Sequence, residues 1–248
     1  MTETEQARYA RQTMLRELGQ AGQQKLKDAR VLLVGAGGLG SPAALYLAAA
    51  GVGTLGVCDG DTVEPSNLNR QIMHNTNRLG FPKADSAHDT LVALNSDIRV
   101  LAHAQFLTPE TIGQAIAGYD FILDCTDSFE AKFMINDACV RARKPFCHAG
   151  ISQWSGQLMT WRPGVGAPCF RCVFRDPPAA VAPEERGVIG AAVGVIGSLQ
   201  AMEAIKYITG AGELLLGTLL SYDALYGEFL RVKLPGAARD CPACAASE

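Results

Sequence analysis

RVLLVGAGGLG, residues 30–40, decides the fold. Arg30 to Gly35 is a short apolar run rich in Val and Leu, the pattern of a buried parallel strand. Gly35-x-Gly37-x-x-Gly40 follows at once, and Ser41 to Ala50 then reads as a helix with Pro42 tolerated in its first turn. Between a strand and a helix, G-x-G-x-x-G binds a nucleotide. The glycines let the backbone approach a phosphate, and the helix N-terminus favours negative charge. Thr54 to Asp59 is a second strand, and Asp59 lies 19 residues past Gly40, where a carboxylate accepts both ribose hydroxyls. The loop leaves NAD, FAD, S-adenosylmethionine and ATP open, beside tight strand–helix packing with no ligand.

Outward from this unit the alternation continues. Helices are expected at 83–95, 108–118 and 129–143, and strands at 98–103, 119–124 and 145–149. Residues 5–28 read as one helix before the first strand. Strand and helix in turn mean a parallel sheet covered on both faces. After Gly150 the rhythm changes: strands at 156–161, 214–222 and 228–234 surround a long helix at 187–209, and 169–186 reads as an irregular, Pro-rich loop. The expected class is α/β, a Rossmann-like doubly wound, mainly parallel sheet extended by antiparallel strands. No repeat or linker interrupts the chain, so 1–248 reads as a single domain, with a nucleotide-binding half at 1–150 and an antiparallel extension at 151–248.

Composition narrows the function. Hydrophobic residues make up 48% and charged residues 19%, which excludes intrinsic disorder. Lys and Arg number 22 against 25 Asp and Glu, a net charge of −3 with no basic block, so no nucleic-acid partner is expected. Met1 to Ala10 is polar and carries Glu3, Glu5 and Arg8, unlike a signal peptide, so the expected location is cytoplasmic. Val31 to Cys58 has no charge and the length of a membrane span, but its seven glycines and Pro42 break it into strand, turn, helix and strand.

Polar residues gather past the strand ends, where a doubly wound sheet binds its ligand. DTVEPSNLNR, residues 61–70, is too polar for core. Arg70 and Lys83 are placed to neutralise a triphosphate, and a dinucleotide has less need of two extra cations. Asp124 and Asp127 flank the end of the fourth strand, and one of them can hold Mg²⁺. Together these residues favour a nucleoside triphosphate over NAD.

Four of the eight cysteines form Cys169-Phe170-Arg171-Cys172 and Cys241-Pro242-Ala243-Cys244. Two C-x-x-C pairs suit a closed tetrahedral zinc site that staples the fold. The 68 residues between the pairs must then return the chain to the same place. A redox pair is the rival, but it does not explain why there are two; unpaired thiols are the other alternative. Cys58, Cys125, Cys139 and Cys147 sit in apolar surroundings and read as core. Cys147-His148 looks like a reactive pair on paper, but it ends an apolar strand, which favours a core reading; His74, His88 and His103 read as surface or satisfied residues.

Several of these pieces recur together: Arg8-Tyr9-Ala10-Arg11-Gln12, Gly35 to Gly40, Asp59-x-Asp61, Ser66-Asn67-Leu68-Asn69-Arg70-Gln71, Pro82-Lys83, Asp124-Cys125-Thr126-Asp127, GVIGSLQAMEAIK at 194–206 and both Cys pairs. In this combination, nearly end to end, the chain resembles the MoeB/ThiF/HesA adenylyltransferases, bacterial relatives of ubiquitin-activating enzymes. The resemblance implies an enzyme that binds ATP and Mg²⁺ and adenylates the C-terminal Gly-Gly carboxylate of a small ubiquitin-like sulfur-carrier protein. An acyl-adenylate and pyrophosphate result, and the carboxyl later becomes a thiocarboxylate for molybdopterin, thiamine or a related product. Carried over by motif, Gly38 lies against the nucleotide and Asp59 takes the ribose. Asn67, Arg70 and Lys83 contact phosphates, Asp127 positions Mg²⁺, and Asp61, Ser66 and Ser128 complete the nucleotide site. Arg11 resembles an arginine that reaches into the neighbouring subunit's site, which implies a homodimer. Cys169, Cys172, Cys241 and Cys244 resemble zinc ligands. The extension at 151–248 would also bind the carrier, and a sulfurtransferase or cysteine desulfurase would be a further partner.

Two departures stand out. Several relatives carry a cysteine before the long helix, whereas residues 182–187 here read APEERG, which speaks against a covalent step there. Ser128 stands where most relatives have Asn. The competing readings are an NAD(P)-dependent oxidoreductase using the same loop, which would need a substrate domain with a general acid, and a relative activating a carboxyl group on tRNA or a peptide. A non-catalytic interaction protein is the weakest, because no ATP motif residue is missing.

Overall fold

The computed structural model describes residues 1–176 and 187–245. Its centre is one eight-stranded sheet in the order β3-β2-β1-β4-β5-β6-β7-β8. Strands β1 (Arg30–Val34), β2 (Thr54–Cys58), β3 (Arg99–His103), β4 (Phe121–Asp124) and β5 (Phe146–Ser152) run parallel. Strands β6 (Ser155–Trp161), β7 (Thr218–Asp223) and β8 (Glu228–Lys233) add antiparallel to β5. The expected α/β class with an antiparallel extension is thus what the chain builds.

The central strands β1, β2 and β4 are apolar on both sides because both sides are covered, whereas the edge strand β8 is exposed along its length. Val31 and Leu33 enter one core, and Leu32 and Val34 enter the other. Over the first face pack α2 (Gly19–Asp28), α3 (Gly40–Ala50), α4 (Lys83–Leu94) and α8 (Gly190–Thr209). Over the second lie α5 (Ile112–Ala117), α6 (Phe129–Arg141) and the short α7 (Phe170–Val173), with the four paired cysteines. Register pairs Val34 with both Cys58 and Asp124, so β1, β2 and β4 end level. That shared edge carries the loops that matter.

Several boundaries differ from expectation: the long helix starts at Gly190, the strand expected from Leu214 starts at Thr218, and the stretch expected to be irregular after Cys169 holds the short α7. The region 5–28 is two helices, α1 (Glu3–Thr13) and α2, because the backbone turns at 14–18 and Gly19 takes a φ of +57°. Met14 and Leu15, which carried the apolar periodicity across the break, are 73% and 56% exposed. The helix expected from Thr108 begins only at Ile112, since the Thr108 N–H donates to the Thr111 hydroxyl at 2.9 Å and closes a turn instead. Strand β5 runs past Ala149 to Ser152 because β6 pairs with it through a tight turn at Gln153 and Trp154. Residues 177–186, which include most of the APEERG stretch, lie outside the described residues. Among those described, no helix is long and apolar enough to cross a membrane.

Candidate active site

The glycine loop leaves β1 and enters α3 under steric constraint. Gly35 has φ +104°, and a Cβ there would lie 2.7 Å from the Cys125 carbonyl oxygen, so only glycine fits. A Cβ on Gly38 would lie 2.8 Å from Val193 of α8 and 3.6 Å from the Arg70 stem. The loop is therefore bounded by the β4 turn, by Arg70 and by the start of α8. Asp59, just past β2, fixes its far side: one carboxylate oxygen accepts the Ala36 N–H at 2.7 Å and the other the Asp61 N–H at 2.8 Å.

The polar segment after β2 folds back over this edge. Asn67 is buried and accepts the Glu64 N–H at 3.1 Å, locking a 3-10 turn at Pro65–Asn67. Ser66 is exposed on that turn. The Arg70 guanidinium donates to the Ser66 carbonyl at 2.9 Å and to the Asn69 side chain at 3.2 Å, without a carboxylate partner among the described residues. Lys83 is buried at the start of α4 and pairs with Asp61 at 2.9 Å. Cations and glycines thus converge on one edge.

The β4 turn separates the two candidate carboxylates. Asp124 is 1% exposed and fully engaged: the His148 Nδ1 lies at 2.8 Å, the Thr126 hydroxyl at 2.6 Å and the Lys132 ammonium at 3.3 Å. Burial alone would push the Asp124 carboxyl up, but Lys132 and the bonds from His148 and Thr126 outweigh it and hold it at about 2. Asp124 is an internal counter-ion, which leaves the exposed Asp127 facing solvent at the edge. Ser128 is exposed too, and its hydroxyl caps α6 by accepting the Ala131 N–H at 3.2 Å.

Arg11 is not brought to this edge. It lies exposed on α1, whose Gln12 donates to the Ala50 carbonyl and whose Arg8 pairs with Asp97, both at the opposite end of the sheet.

Two further buried side chains, neither assigned a role at the site from the sequence, neighbour the loop. Gln71 is 5% exposed; its Nε2 lies 3.6 Å from where a Gly37 Cβ would stand, and its Oε1 has no partner among the described residues. An unpaired buried amide oxygen costs free energy and marks a place where a ligand can satisfy the group. His74 bridges the Ala36 carbonyl and the Ser86 hydroxyl, each at 2.9 Å. Burial pushes its imidazole down, so the neutral ring donates from Nε2 to Ala36. Gln71 stands inside the quoted motif run and could have been found there; His74 is a satisfied residue, as its sequence reading allowed.

The second cluster lies on the other face. The Cys169 and Cys241 sulfurs are 3.6 Å apart, Cys172 and Cys244 3.4 Å, and Cys169 and Cys172 3.9 Å. Four sulfurs about 2.3 Å from one tetrahedral zinc stand roughly 3.8 Å from each other, so the arrangement fits the ion. Asn136 accepts the Phe170 N–H at 2.9 Å and Asp137 grips Arg171 through two bonds, 2.6 and 2.7 Å, tying this knuckle to α6. Burial pushes the Cys169 thiol up and the Cys244 thiol to about 12, while at Cys241 burial is outweighed by the Cys244 and Ala243 backbone N–H groups, which hold the thiol down; a cation among the sulfurs would favour all four thiolates. The remaining cysteines are buried and their thiols are pushed up by desolvation, Cys58 to about 11, an environment that disfavours a thiolate nucleophile.

The ThiF family profile matches residues 9–243. The chain belongs to the ThiF family. Among curated relatives, the Xenopus laevis protein named adenylyltransferase and sulfurtransferase MOCS3 is 44% identical over 247 residues, covering 98% of this chain and 54% of the relative. Its Culex quinquefasciatus counterpart is 45% identical over 250 residues, with 98% and 56% covered. The chain thus spans about half the length of the curated relatives it matches. In fold, this ThiF chain superposes on Escherichia coli MccB solved with ATP at a TM-score of 0.84, with 24% identity over 96% of this chain and 74% of the other. PaaA superposes at 0.81, with 24% identity over 94% and 75%.

Proposed function

We propose that this chain is a sulfur-carrier adenylyltransferase: it transfers AMP from ATP to the C-terminal Gly-Gly carboxylate of a small ubiquitin-like carrier protein. One observation carries the reading. A glycine loop, a carboxylate after β2, two cations and a free carboxylate meet at one sheet edge in a ThiF-family chain. The MOCS3 relatives bear the name of that activity.

No side-chain nucleophile is needed. The carrier carboxylate attacks the α-phosphorus of ATP, the bond to the β-phosphate oxygen breaks, and pyrophosphate leaves. Catalysis is then positioning and charge neutralisation. The glycine loop at Gly38 and the amide of Gln71 lie against the nucleotide, and Asp59 holds the ribose while fixing Ala36. Asn67 and Ser66 shape the segment that presents Arg70 to the phosphates. Lys83 reaches them by exchanging its bond with Asp61. Asp127, helped by Ser128, would hold Mg²⁺, and the ion when bound would supply positive charge against the phosphates.

Arg11 serves the site of a second copy, since α1 is anchored at the far end of its own sheet. The working unit is then a homodimer. The half at 1–150 binds the nucleotide; the extension at 151–248 binds the carrier and takes structural zinc on Cys169, Cys172, Cys241 and Cys244. Residues 182–187 hold no cysteine and the other thiols are buried, so a separate sulfurtransferase or cysteine desulfurase supplies the sulfur. Cysteines grouped to hold a metal and not paired as disulfides suit the cytoplasm.

The test is ATP–pyrophosphate exchange with Gly-Gly-ending carrier proteins supplied one at a time. Exchange with one carrier is expected. No exchange with any, while ATP still binds, would overturn the carrier as substrate.

A further inference from the structure

Lys132 is a buried cation that the reaction above does not use. It stands in the first turn of α6 with 5% exposure. Both facts work against it, because an ammonium loses hydration on burial and a helix N-terminus repels positive charge. The compensation is specific. The ammonium donates to the Thr126 carbonyl at 2.6 Å, to the Ala149 carbonyl at 2.7 Å, and to both Asp124 oxygens at 3.3 Å. Asp124 in turn accepts the Thr126 N–H at 3.1 Å and its hydroxyl at 2.6 Å. His148 completes the set from β5 through Nδ1 at 2.8 Å.

Every one of these bonds ends on the β4 turn or on the strand beside it. Thr126 is held at its N–H, hydroxyl and carbonyl, and the next residue is Asp127. On the other side, Ser128 is fixed as the α6 cap. The exposed Asp127 makes no bond of its own among the described residues, so its place is set by these two anchors. An apolar side chain at 132 could fill the space but could not grip the Thr126 carbonyl.

We infer that Lys132 is a positioning residue that aims Asp127 at the metal–nucleotide complex; this rests on the reading of Asp127 as a Mg²⁺ ligand. The experiment is calorimetric binding of ATP to the full chain across a Mg²⁺ series, for wild type, Asp127→Ala, Lys132→Met and Lys132→Arg, with thermal melting of each. Removing such outer supports typically costs 10- to 100-fold in metal affinity. Lys132→Met is expected to need about tenfold more Mg²⁺ for the same gain in ATP affinity, with metal-free ATP affinity within about twofold of wild type. Lys132→Arg, which keeps charge and donors, is expected to restore the Mg²⁺ dependence. A merely structural lysine would lower the melting temperature and leave the Mg²⁺ series unmoved, and that result would overturn the inference. Should Lys132→Met not fold, Lys132→Gln decides by the same two outcomes. If Asp127→Ala keeps the wild-type Mg²⁺ dependence, the reading of Asp127 falls and the inference with it. If Asp127→Ala loses that dependence while Lys132→Met keeps it, only the inference falls.

Discussion

The nucleotide edge and the cysteine knuckle sit on one sheet yet are built on opposite physical terms. At the edge, Asp127, Ser66 and Asp61 are exposed, and among the described residues Arg70 hydrogen-bonds only a nearby carbonyl and a side-chain amide. At the knuckle, Cys169, Cys241 and Cys244 are buried among Phe133, Phe170 and Trp161. Groups left in solvent contribute little to stability; groups in a closed, packed site contribute much. Damage at the edge should therefore remove chemistry and spare the fold, and damage at the knuckle should do the reverse.

The sharpest way to break this contrast is Asp127→Ala. Exchange is expected to fall at least ~1,000-fold, because a fixed charge partner of the transferring group is lost, with an unchanged melting temperature. A variant that melts early or keeps its rate would erase the contrast. The mirror test is Cys244→Ser, or chelation of the wild type. Losing a closed four-sulfur site should lower the melting temperature by roughly 10 °C, while the protein that remains folded still binds ATP. A metal-free wild type that melts at the same temperature would remove zinc from the account.

Arg11 belongs to neither region in its own chain, and mixing variants tests that. Arg11→Ala and Asp127→Ala chains, each inactive, should recover about a quarter of wild-type exchange when reassorted. Half of the random dimers are then mixed, and each of those has one complete site. No recovery would count against an arginine acting across the interface.

How far these regions could be read in advance follows from the same contrast. The parallel half was legible because its central strands, such as RVLLV and TLGVC, are apolar on both faces and are followed by a polar or glycine turn. The knuckle was legible because cysteine spacing is local on each side. What escaped was non-local. Lys132 looks like any surface charge on a helix until β4 and β5 bring Asp124 and Ala149 to it. Asp124 looks like a metal ligand for the same reason. The break after Thr13 was hidden by Met14 and Leu15, apolar residues that continue the helical period while facing solvent.

That buried cluster has its own signature in acid. Burial and the Lys132 charge push the His148 imidazole down to about 4 despite its bond to Asp124. The unfolded chain takes up the His148 proton near pH 6.5 and the folded one only near 4, so stability falls as pH drops through that window. Asp124 adds to the loss in the same direction only below its own ordinary range, as pH falls toward about 2. His148→Gln should flatten melting temperature between pH 6.5 and 4 without altering Mg²⁺ dependence at neutral pH. An unchanged slope would place the acid sensitivity elsewhere.

The smallest effect is expected at Ser128, where the two regimes meet in one side chain. It stands beside Asp127 in sequence, yet its hydroxyl is occupied by the Ala131 N–H as the cap of α6. Losing a serine cap costs about 1 kcal/mol, or about 2–4 °C in a chain of this size. Ser128→Ala should show that drop. Asparagine caps a helix as well as serine does, so Ser128→Asn should melt with the wild type. The informative quantity is ATP affinity. If Ser128 acts only as a cap, both variants bind ATP within about twofold of wild type. A loss in Ser128→Ala that Ser128→Asn repairs would mean that the cap transmits to Asp127, since cap and carboxylate share one stretch of backbone. A loss in both would put the hydroxyl itself against the nucleotide. The boundary between fold and chemistry would then run through this single atom.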